Sequence, residues 1–269
     1  MEKVNKPDNQ TSVFVKRKRT FTVAFIAVFG LFMLSAAVTD YSVSSGFESI
    51  PKAIAWISKN LVPDARAWRR LPNILSKLAE TALVAVAVTV CAAIVAFFFS
   101  LLGTKTTKAN PLVGRAVRII AAFFRNVPDV VWAILLLFSF GQNIMTGFLA
   151  LFFATFGMLT RTFIETIDEV CAACVEALQA TGATYLQIVF QAIIPSSITL
   201  IVSWVLYMIE TNIRASTLIG ILTATGIGYL FDLYYKRMDY GSASLVVIAI
   251  VVLVIAIETI SNQIRKVIM

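Results

Sequence analysis

Side chains that commonly carry catalysis or bind metals are scarce in this sequence. It contains no histidine and three cysteines, Cys91, Cys171 and Cys174. The absence of histidine excludes a His-based metal site and a histidine proton relay, and three cysteines argue against a disulfide framework. Cys171 and Cys174 form a CxxC pair with no second ligand pair, which favours packing of small side chains on a helix over a zinc or redox site.

Two arginines are spaced to form either ion pairs or an anion site. Asp129 follows Arg125 by four residues, one helical turn, and Glu210 precedes Arg214 at the same spacing. Each arginine can therefore form a locally neutral pair on its own helix. Alternatively, the guanidinium groups and the hydroxyl side chains that follow Arg214 can bind an anion by charge-assisted hydrogen bonds. The sequence leaves both interpretations open.

The composition indicates what kind of protein positions these residues. Of 269 residues, 59% are hydrophobic, and the mean hydropathy of +0.85 exceeds what a soluble domain of this length could bury. An all-α integral membrane protein is therefore predicted. The net charge of +8 comes largely from short basic runs beside apolar segments, which argues for contact with lipid head groups and against nucleic-acid binding.

Six apolar stretches are long enough to cross a bilayer as helices. They are residues 21–38, 78–102, 119–140, 144–162, 196–213 and 242–260. The basic cluster Lys16–Arg19 lies just before the first stretch and predicts that residues 1–20 form a cytoplasmic tail. With six crossings, the C-terminus is expected in the cytoplasm as well, and residues 21–269 form the transmembrane domain.

Two segments between the spans have unusual compositions. Residues 49–70, expected outside the cytoplasm, mix large apolar and basic side chains and are interrupted at Pro63. This pattern predicts an interfacial amphipathic helix, with membrane anchoring favoured over binding of a substrate or partner. Residues 161–195 are expected in the cytoplasm yet are acidic, with Glu165, Asp168, Glu169 and Glu176 against Arg161, which favours a protein partner over anionic lipid.

This acidic loop also has a predicted internal structure. Residues 165–180 favour a helix, with carboxylates in its first turns, and Gly182 follows where a left-handed residue can end it. Thr184 can cap a second helix, and Pro195 suits the first turn of the next span. Small residues leave part of the loop free of bulk, so that a partner's backbone could approach closely: Ala177, Ala180, Gly182 and Ala183.

The loop resembles the "EAA" loop of type I ATP-binding-cassette importer permeases, which have six spans. The resemblance rests on Glu176-Ala177, a glycine six residues after the glutamate and a proline nineteen after it. It implies that short coupling helices insert into a cleft of a separate ATPase. The residues implied in this coupling are Glu176, Ala177, Ala180, Gly182, Ala183 and Pro195. Leu178, Ala192 and Ile194 depart conservatively from the family pattern.

Two further stretches resemble permeases of the phosphonate type. They are residues 125–133, RNVPDVVWA, and 212–220, NIRASTLIG, the second followed by Gly226-Ile227-Gly228. The resemblance implies import of phosphonate or a related phosphorus oxyanion, phosphite or hypophosphite. It places these residues near the translocation pathway: Arg125, Asn126, Glu210, Arg214, Ser216 and Thr217. Gly220, Gly226 and Gly228 are expected to act as a structural or gating hinge.

The resemblance also implies an assembly in the bacterial inner membrane. Two copies of this permease would form the pathway, two ATPase subunits would bind on the cytoplasmic side, and an extracytoplasmic binding protein would deliver the substrate. The chain itself would be no enzyme and would hold no cofactor, because ATP and Mg²⁺ belong to the ATPase. Closure of the ATPase dimer would pull the loops around Glu176 together and open the pathway outward.

Three alternatives remain at the sequence level. Methionine, a quaternary amine or another small organic solute is the second candidate for the cargo. An ion-coupled secondary transporter is a different class, but the sequence shows no repeat, and its span acids lie near predicted span ends rather than midspan. Those acids are Glu80, Asp129, Glu210 and Glu258. Nothing in the sequence favours a membrane scaffold.

Overall fold

The chain is almost entirely helical over the residues that the computed structural model describes, 9–106 and 111–268. In chain order the helices are α1 Asn9–Val38, α2 Val43–Asn60, α3 Ala65–Arg69, α4 Leu71–Gly103, α5 Pro111–Asn126, α6 Asp129–Phe140, α7 Ile144–Val170, α8 Ala172–Ala180, α9 Tyr185–Ile188, a π-helical turn Val189–Ile193, α10 Ile194–Thr223, α11 Gly226–Lys236 and α12 Tyr240–Ile268. The chain divides into two compact units, residues 1–59 and 60–269.

The first unit contains α1 and almost all of α2. An apolar stretch of α1, Lys16–Val38, is long enough to cross a membrane and includes the predicted first span. Of the predicted tail, residues 9–20 belong to α1, and residues 1–8 lie outside the described part. The predicted amphipathic segment begins within α2 and breaks as expected near Pro63, because α2 ends at Asn60 and α3 begins at Ala65.

The second unit is built around α7. Helices α4, α5, α6 and α10 pack against α7. In the most apolar stretch of α7, 61% of residues are buried inside the protein, compared with 22–28% for the corresponding stretches of α4, α10 and α12. Because α4, α10 and α12 are apolar but mostly unburied, their outer faces are suited to lipid.

The sequence predicts the third span as one continuous helix. In the structure it is instead two helices, α5 and α6, bent by 88° relative to each other. The break falls at Val127 and Pro128. A proline disfavours helical backbone in the residue before it and lacks the N–H of a helix interior. The bend is held by Trp132, whose ring stacks on Phe124 at 5.4 Å and whose indole N–H lies 3.5 Å from the Phe124 carbonyl. The described residues thus contain five helices able to cross a membrane, or six if the bent pair is one span.

Two other predicted helices have different bounds. The fifth span runs through the whole of α10 to Thr223 rather than ending at Ile213, so that Glu210 lies inside a helix instead of near a span end. The predicted helix over 165–180 breaks at Cys171, between α7 and α8. The break lets α8 lay its apolar side, including Val175, against the same apolar cluster that buries Cys171.

Candidate functional site

The loop between α7 and α10 forms a helix, a tight turn and a second helix. Gly182 has φ +80°, and this left-handed conformation lets the chain reverse after α8. Thr184 then begins α9 as a capping residue, with its N–H donating to Gln187 Oε1 at 2.8 Å. We call residues 172–188, which comprise α8, the turn and α9, the coupling loop, after the role that the resemblance predicts for it.

The coupling loop exposes the residues that its sequence singled out. Glu176, Ala177, Ala180 and Gly182 lie at its surface or close to it, and Ala183 packs against the cluster beneath the loop. An added Cβ at Gly182 would contact no atom within 4 Å, so the space in front of this turn is open. The outer side of α8 therefore carries small side chains and one carboxylate, and it has no bulky side chain that would keep a partner's backbone away.

Pro195 lies further along, in the first turn of α10. The π-helical turn precedes it directly, with the Ile194 N–H bonded to the Val189 carbonyl. A widened turn relieves the clash that a proline ring makes with the carbonyl four residues earlier. As a result, α9, the π turn and α10 form a single apolar stretch, Tyr185–Thr223.

An apolar cluster beneath the coupling loop holds it to the helix bundle. The cluster joins the end of α4, the end of α7, α8, α9 and the π turn through eight buried residues: Leu101, Ile167, Cys171, Val175, Ile188, Val189, Ala192 and Ile193. Burial, with a further contribution from Cys174, raises the pKa of the Cys171 thiol, although a hydrogen bond with Ser197 lowers it. A buried thiol kept protonated is a packing group rather than a nucleophile, so the packing interpretation holds for Cys171. Cys174 is exposed on α8 and does not belong to the cluster.

Polar tethers connect the end of α7 and the coupling loop to the segment after α4. Asp168 Oδ1 accepts hydrogen bonds from the Lys105 N–H at 2.8 Å and the Thr106 N–H at 3.0 Å, and from the hydroxyl groups of Thr104 and Thr106. Two weaker contacts add to this, from Gln179 Nε2 to the Thr106 carbonyl at 3.4 Å and from the Tyr185 hydroxyl to the Leu101 carbonyl at 3.2 Å.

The tethers change the interpretation of Asp168. The sequence places it among the acidic groups available to a partner, but it is bonded to the segment after α4. The hydroxyl groups in the Thr104-Lys105-Thr106 segment are a possible signal, because a short loop rich in donors needs an acceptor.

The predicted pathway residues do not form one cluster. Arg125 and Asn126 are exposed at the end of α5. The Arg125–Asp129 pair, one of the two interpretations that the sequence left open, is absent from the ion pairs of the described residues, and the Asp129 carboxylate instead accepts from the Val130 N–H at 2.9 Å. The four-residue spacing brings side chains together only on a continuous helix, and this one breaks at Pro128.

The other candidate pair is present. Arg214 Nη1 lies 2.7 Å from Glu210 Oε1 on α10. The hydroxyl groups of Ser216 and Thr217 both donate to the Ile213 carbonyl, at 2.8 and 3.4 Å. Both hydroxyl groups satisfy their own helix backbone.

Asn212 is a buried polar residue whose role the sequence did not predict. Its amide Nδ2 donates to Thr89 Oγ1 at 2.8 Å and to Thr155 Oγ1 at 2.9 Å, thereby joining α10 to α4 and α7. Thr89 and Thr155 are fully buried, and Asn212 is 3% exposed. Because the three residues lie on three different helices, only the tertiary structure reveals this polar clasp.

The three glycines expected to act as a hinge lie in a tight α10–α11 hairpin. Gly226 has φ +59° and starts α11. Gly220 and Gly228 lie against one another, and a Cβ at Gly220 would come 3.4 Å from the Gly228 Cα. Close packing of two helix backbones is therefore one role of these glycines, and movement about them remains a prediction.

A second polar cluster joins α3 to the turn before α12. Arg70 pairs with Asp239, donates to the Ser242 hydroxyl at 3.1 Å and stacks over the Tyr234 ring at 4.9 Å. Burial alone would raise the pKa of Asp239, but the hydrogen bonds from Ser242 and the charge of Arg70 lower it. The carboxylate thus stays charged and holds α3 on α12.

Sequence comparison identifies the family. The profile of the binding-protein-dependent transport system inner membrane component matches residues 100–268. The phosphate-import permease protein PhnE of Mycolicibacterium smegmatis is 30% identical over 190 residues, which are 71% of this chain but 36% of that protein. The phosphite transport system permease protein PtxC of Stutzerimonas stutzeri is 27% identical over 240 residues, covering 89% of this chain and 86% of PtxC.

Structural comparison agrees on the fold. An inward-facing structure of the MetNI methionine ABC transporter contains a chain that aligns with a TM-score of 0.65 at 18% identity. The alignment covers 77% of this chain and 99% of that one. With the matched profile covering more than half of its length, the chain belongs to the family of binding-protein-dependent transport system inner membrane components.

Proposed function

We propose that this chain is the transmembrane subunit of an ATP-driven importer for phosphonate or a related phosphorus oxyanion such as phosphite or hypophosphite. The observation that carries the choice of cargo is the match to relatives named for phosphate import and phosphite transport, of which PtxC is covered over 86% of its length. In this proposal two copies form the pathway in the bacterial inner membrane. Their coupling loops and both termini face the cytoplasm.

The coupling loop supplies the contact with a separate ATPase. Its outer surface around Glu176, Ala177 and Ala180 is low enough for a partner's backbone to approach. Beneath it, the apolar cluster attaches the loop to α4, and Gln179 bonds to the segment between α4 and α5, which Asp168 also fixes to the end of α7. A force applied to α8 would therefore reach α4 and α5 together rather than deform the loop alone.

The bend between α5 and α6 is where that movement would meet the cargo. A helix broken inside a membrane leaves polar backbone groups that are tolerated only inside protein or beside a water-filled cavity. Arg125 and Asn126 are exposed at this break, and Gly157 of α7 packs so closely that a Cβ there would come 2.5 Å from the Arg125 backbone nitrogen. A fixed guanidinium group offsets part of the hydration that an oxyanion loses.

Uptake by the reconstituted complex tests this proposal. The chain would be placed in proteoliposomes with its ATPase and binding protein, and accumulation of radiolabelled phosphite measured with ATP inside and out. We expect uptake that requires ATP on the ATPase side, survives dissipation of ion gradients, and is competed by phosphonate but not by methionine. Uptake driven by an ion gradient without ATP would contradict the transport class, and competition by methionine alone would contradict the cargo.

A further inference from the structure

A charged cleft opens beside the coupling loop, and none of the residues that line it belongs to the outer surface of α8 proposed to contact the ATPase. Its volume is about 330 Å³, and it lies between α5, α7 and the segment that follows α4. Three basic side chains line it, Lys105, Arg118 and Arg161, and two acidic ones, Glu165 and Asp168. Each of the three structural elements thus contributes one cation.

The two carboxylates neutralise these cations less than their number suggests. Asp168 directs one oxygen to the N–H and hydroxyl groups of the segment after α4, so its charge is distributed over those donors. Glu165 lies 2.7 Å from Arg161, but the two side chains are 61% and 52% exposed. An ion pair this exposed is weak and leaves Arg161 able to bind another anion.

Arg118 is held in position at the wall of the cleft. Its Nε and Nη2 atoms both donate to the Gly103 carbonyl, at 2.9 and 2.6 Å, and its side chain is partly buried. The contact fixes the plane of the guanidinium group and leaves its Nη1 without a hydrogen bond to the described residues. A donor whose orientation is fixed before binding loses little freedom when an anion arrives.

We propose that this cleft binds a phosphate group. A planar guanidinium group, a second arginine and a lysine around one cavity are the side chains by which proteins hold phosphates. The cleft has room for more than a bare ion, and Ala121 and Ile164 add an apolar part to its lining. The same chemistry would accept the head group of an anionic phospholipid or a free phosphate ion.

Phosphate binding in this cleft would affect the coupling loop, because the two lie side by side. Lys105 and Asp168 line the cleft and are also bonded to each other through the Lys105 N–H. A phosphate held between Lys105, Arg118 and Arg161 would join α5, α7 and the end of α4 at the level of the coupling loop. Occupancy would therefore stiffen the connection between that loop and the helices it moves. This inference does not depend on the proposed cargo.

Thermal unfolding of the purified full chain tests the site with two probes. In the lipid arm, nanodiscs containing phosphatidylglycerol are compared with nanodiscs of phosphatidylcholine. In the ion arm, phosphate is added to the phosphatidylcholine nanodiscs and compared with chloride at equal ionic strength. We expect a rise in Tm of about 2–4 °C in at least one arm. The rise should disappear in the double variant Lys105→Gln/Arg161→Gln.

The matched control is Arg115→Gln, which removes an exposed arginine of α5 that does not line the cleft. A rise in the lipid arm alone assigns the phosphate to a phospholipid, and a rise in the ion arm assigns it to a free ion. The conservative variant Arg161→Lys should keep the rise and shows that the fold tolerates changes here. The proposal is overturned if neither arm shows a rise, if the double variant keeps it, or if Arg115→Gln loses it equally.

Discussion

Asn212 shows how one amide can order a membrane-embedded core. Its Nδ2 atom bonds hydroxyl groups on two other helices, and Thr155 donates in return to the Asn212 Oδ1 at 3.1 Å. In a bilayer such side-chain hydrogen bonds add modest stability but fix which faces of the helices meet, because no water is present to replace a lost partner.

We expect Asn212→Leu to lower the free energy of unfolding by about 1–2 kcal/mol, since two buried threonines lose a partner while most of the volume is kept. Unfolding in mixed detergent and SDS micelles measures this change. Asn262→Leu is the matched control, because Asn262 is exposed on α12, and its effect should stay within about 0.5 kcal/mol. Equal losses of unfolding free energy in the two variants would mean that the hydrogen bonds of Asn212 make no specific contribution to stability.

The arginines show how far residue spacing can be trusted. The sequence left ion pairing and anion binding open for both arginines. The Glu210–Arg214 pair forms because α10 is continuous through both residues. The Arg125–Asp129 pair is not among the ion pairs of the described residues, because Pro128 stands between the two and the helix breaks there. A side-chain pair predicted from a helical period is only as good as the prediction of the helix itself.

Among the structural elements, the coupling loop was predicted best. Its first helix, the turn at Gly182 and the cap at Thr184 all follow from local rules for helix ends, which depend on a few adjacent residues. The break at Cys171 and the π turn before Pro195 were not predicted. The break accommodates packing against residues far away in the sequence, which no local signal announces. The π turn makes room for the Pro195 ring, and it is needed only because α9 continues into α10 instead of ending before the proline.

Gly182 offers a test of the loop, and Gly141 is a stringent control, because both glycines have a positive φ, +80° and +72°, and a Cβ added at either would meet no atom within 4 Å. Substitution by alanine should strain the left-handed backbone at Gly182 by about 1–2 kcal/mol. It should strain Gly141 at least as much, because a ψ of −172° at positive φ is a conformation that essentially only glycine adopts. We expect Gly182→Ala to lower phosphite uptake per ATP hydrolysed in proteoliposomes, while Gly141→Ala leaves that ratio unchanged.

Gly182→Asn extends this test, because asparagine tolerates the left-handed conformation better than alanine does. It should therefore restore much of the transport ratio. If both alanine variants lower the ratio alike, the turn at Gly182 has no special part in coupling, and the effect is one of general stability.

At the scale of the whole molecule, composition and the length of the apolar stretches predicted an all-helical membrane protein and the approximate positions of its apolar helices, but not the break in the third span or the longer fifth span. Composition predicts the helices because a bilayer requires long apolar helices, and long runs of apolar residues are visible in any sequence. The connections between elements were not predictable in the same way. Asp168 and Asn212 each bond to residues more than fifty positions away, and only the folded chain brings those partners together.

The contacts of the coupling loop explain why it would move together with the helix bundle. It is attached to α4 by an apolar cluster and by the hydrogen bond from the Tyr185 hydroxyl to the Leu101 carbonyl. Gln179 bonds the loop to the segment after α4, and Asp168 of α7 accepts hydrogen bonds from that same segment. The bend between α5 and α6 lies at the far end of the helix that begins after those attachments. A partner that displaces α8 would therefore act on the cleft and on the broken helix through one connected set of contacts.

Site-specific photocrosslinking in the complete transporter tests most directly whether that partner is the ATPase. A photoreactive phenylalanine would replace Ala177 on α8, or Ala116, another exposed alanine, on α5, as the control. We predict that the Ala177 variant forms a covalent adduct with the mass of this chain plus one ATPase subunit, and that the Ala116 variant does not. An intact complex in which Ala177 gives no adduct, or no more than Ala116, would contradict the account.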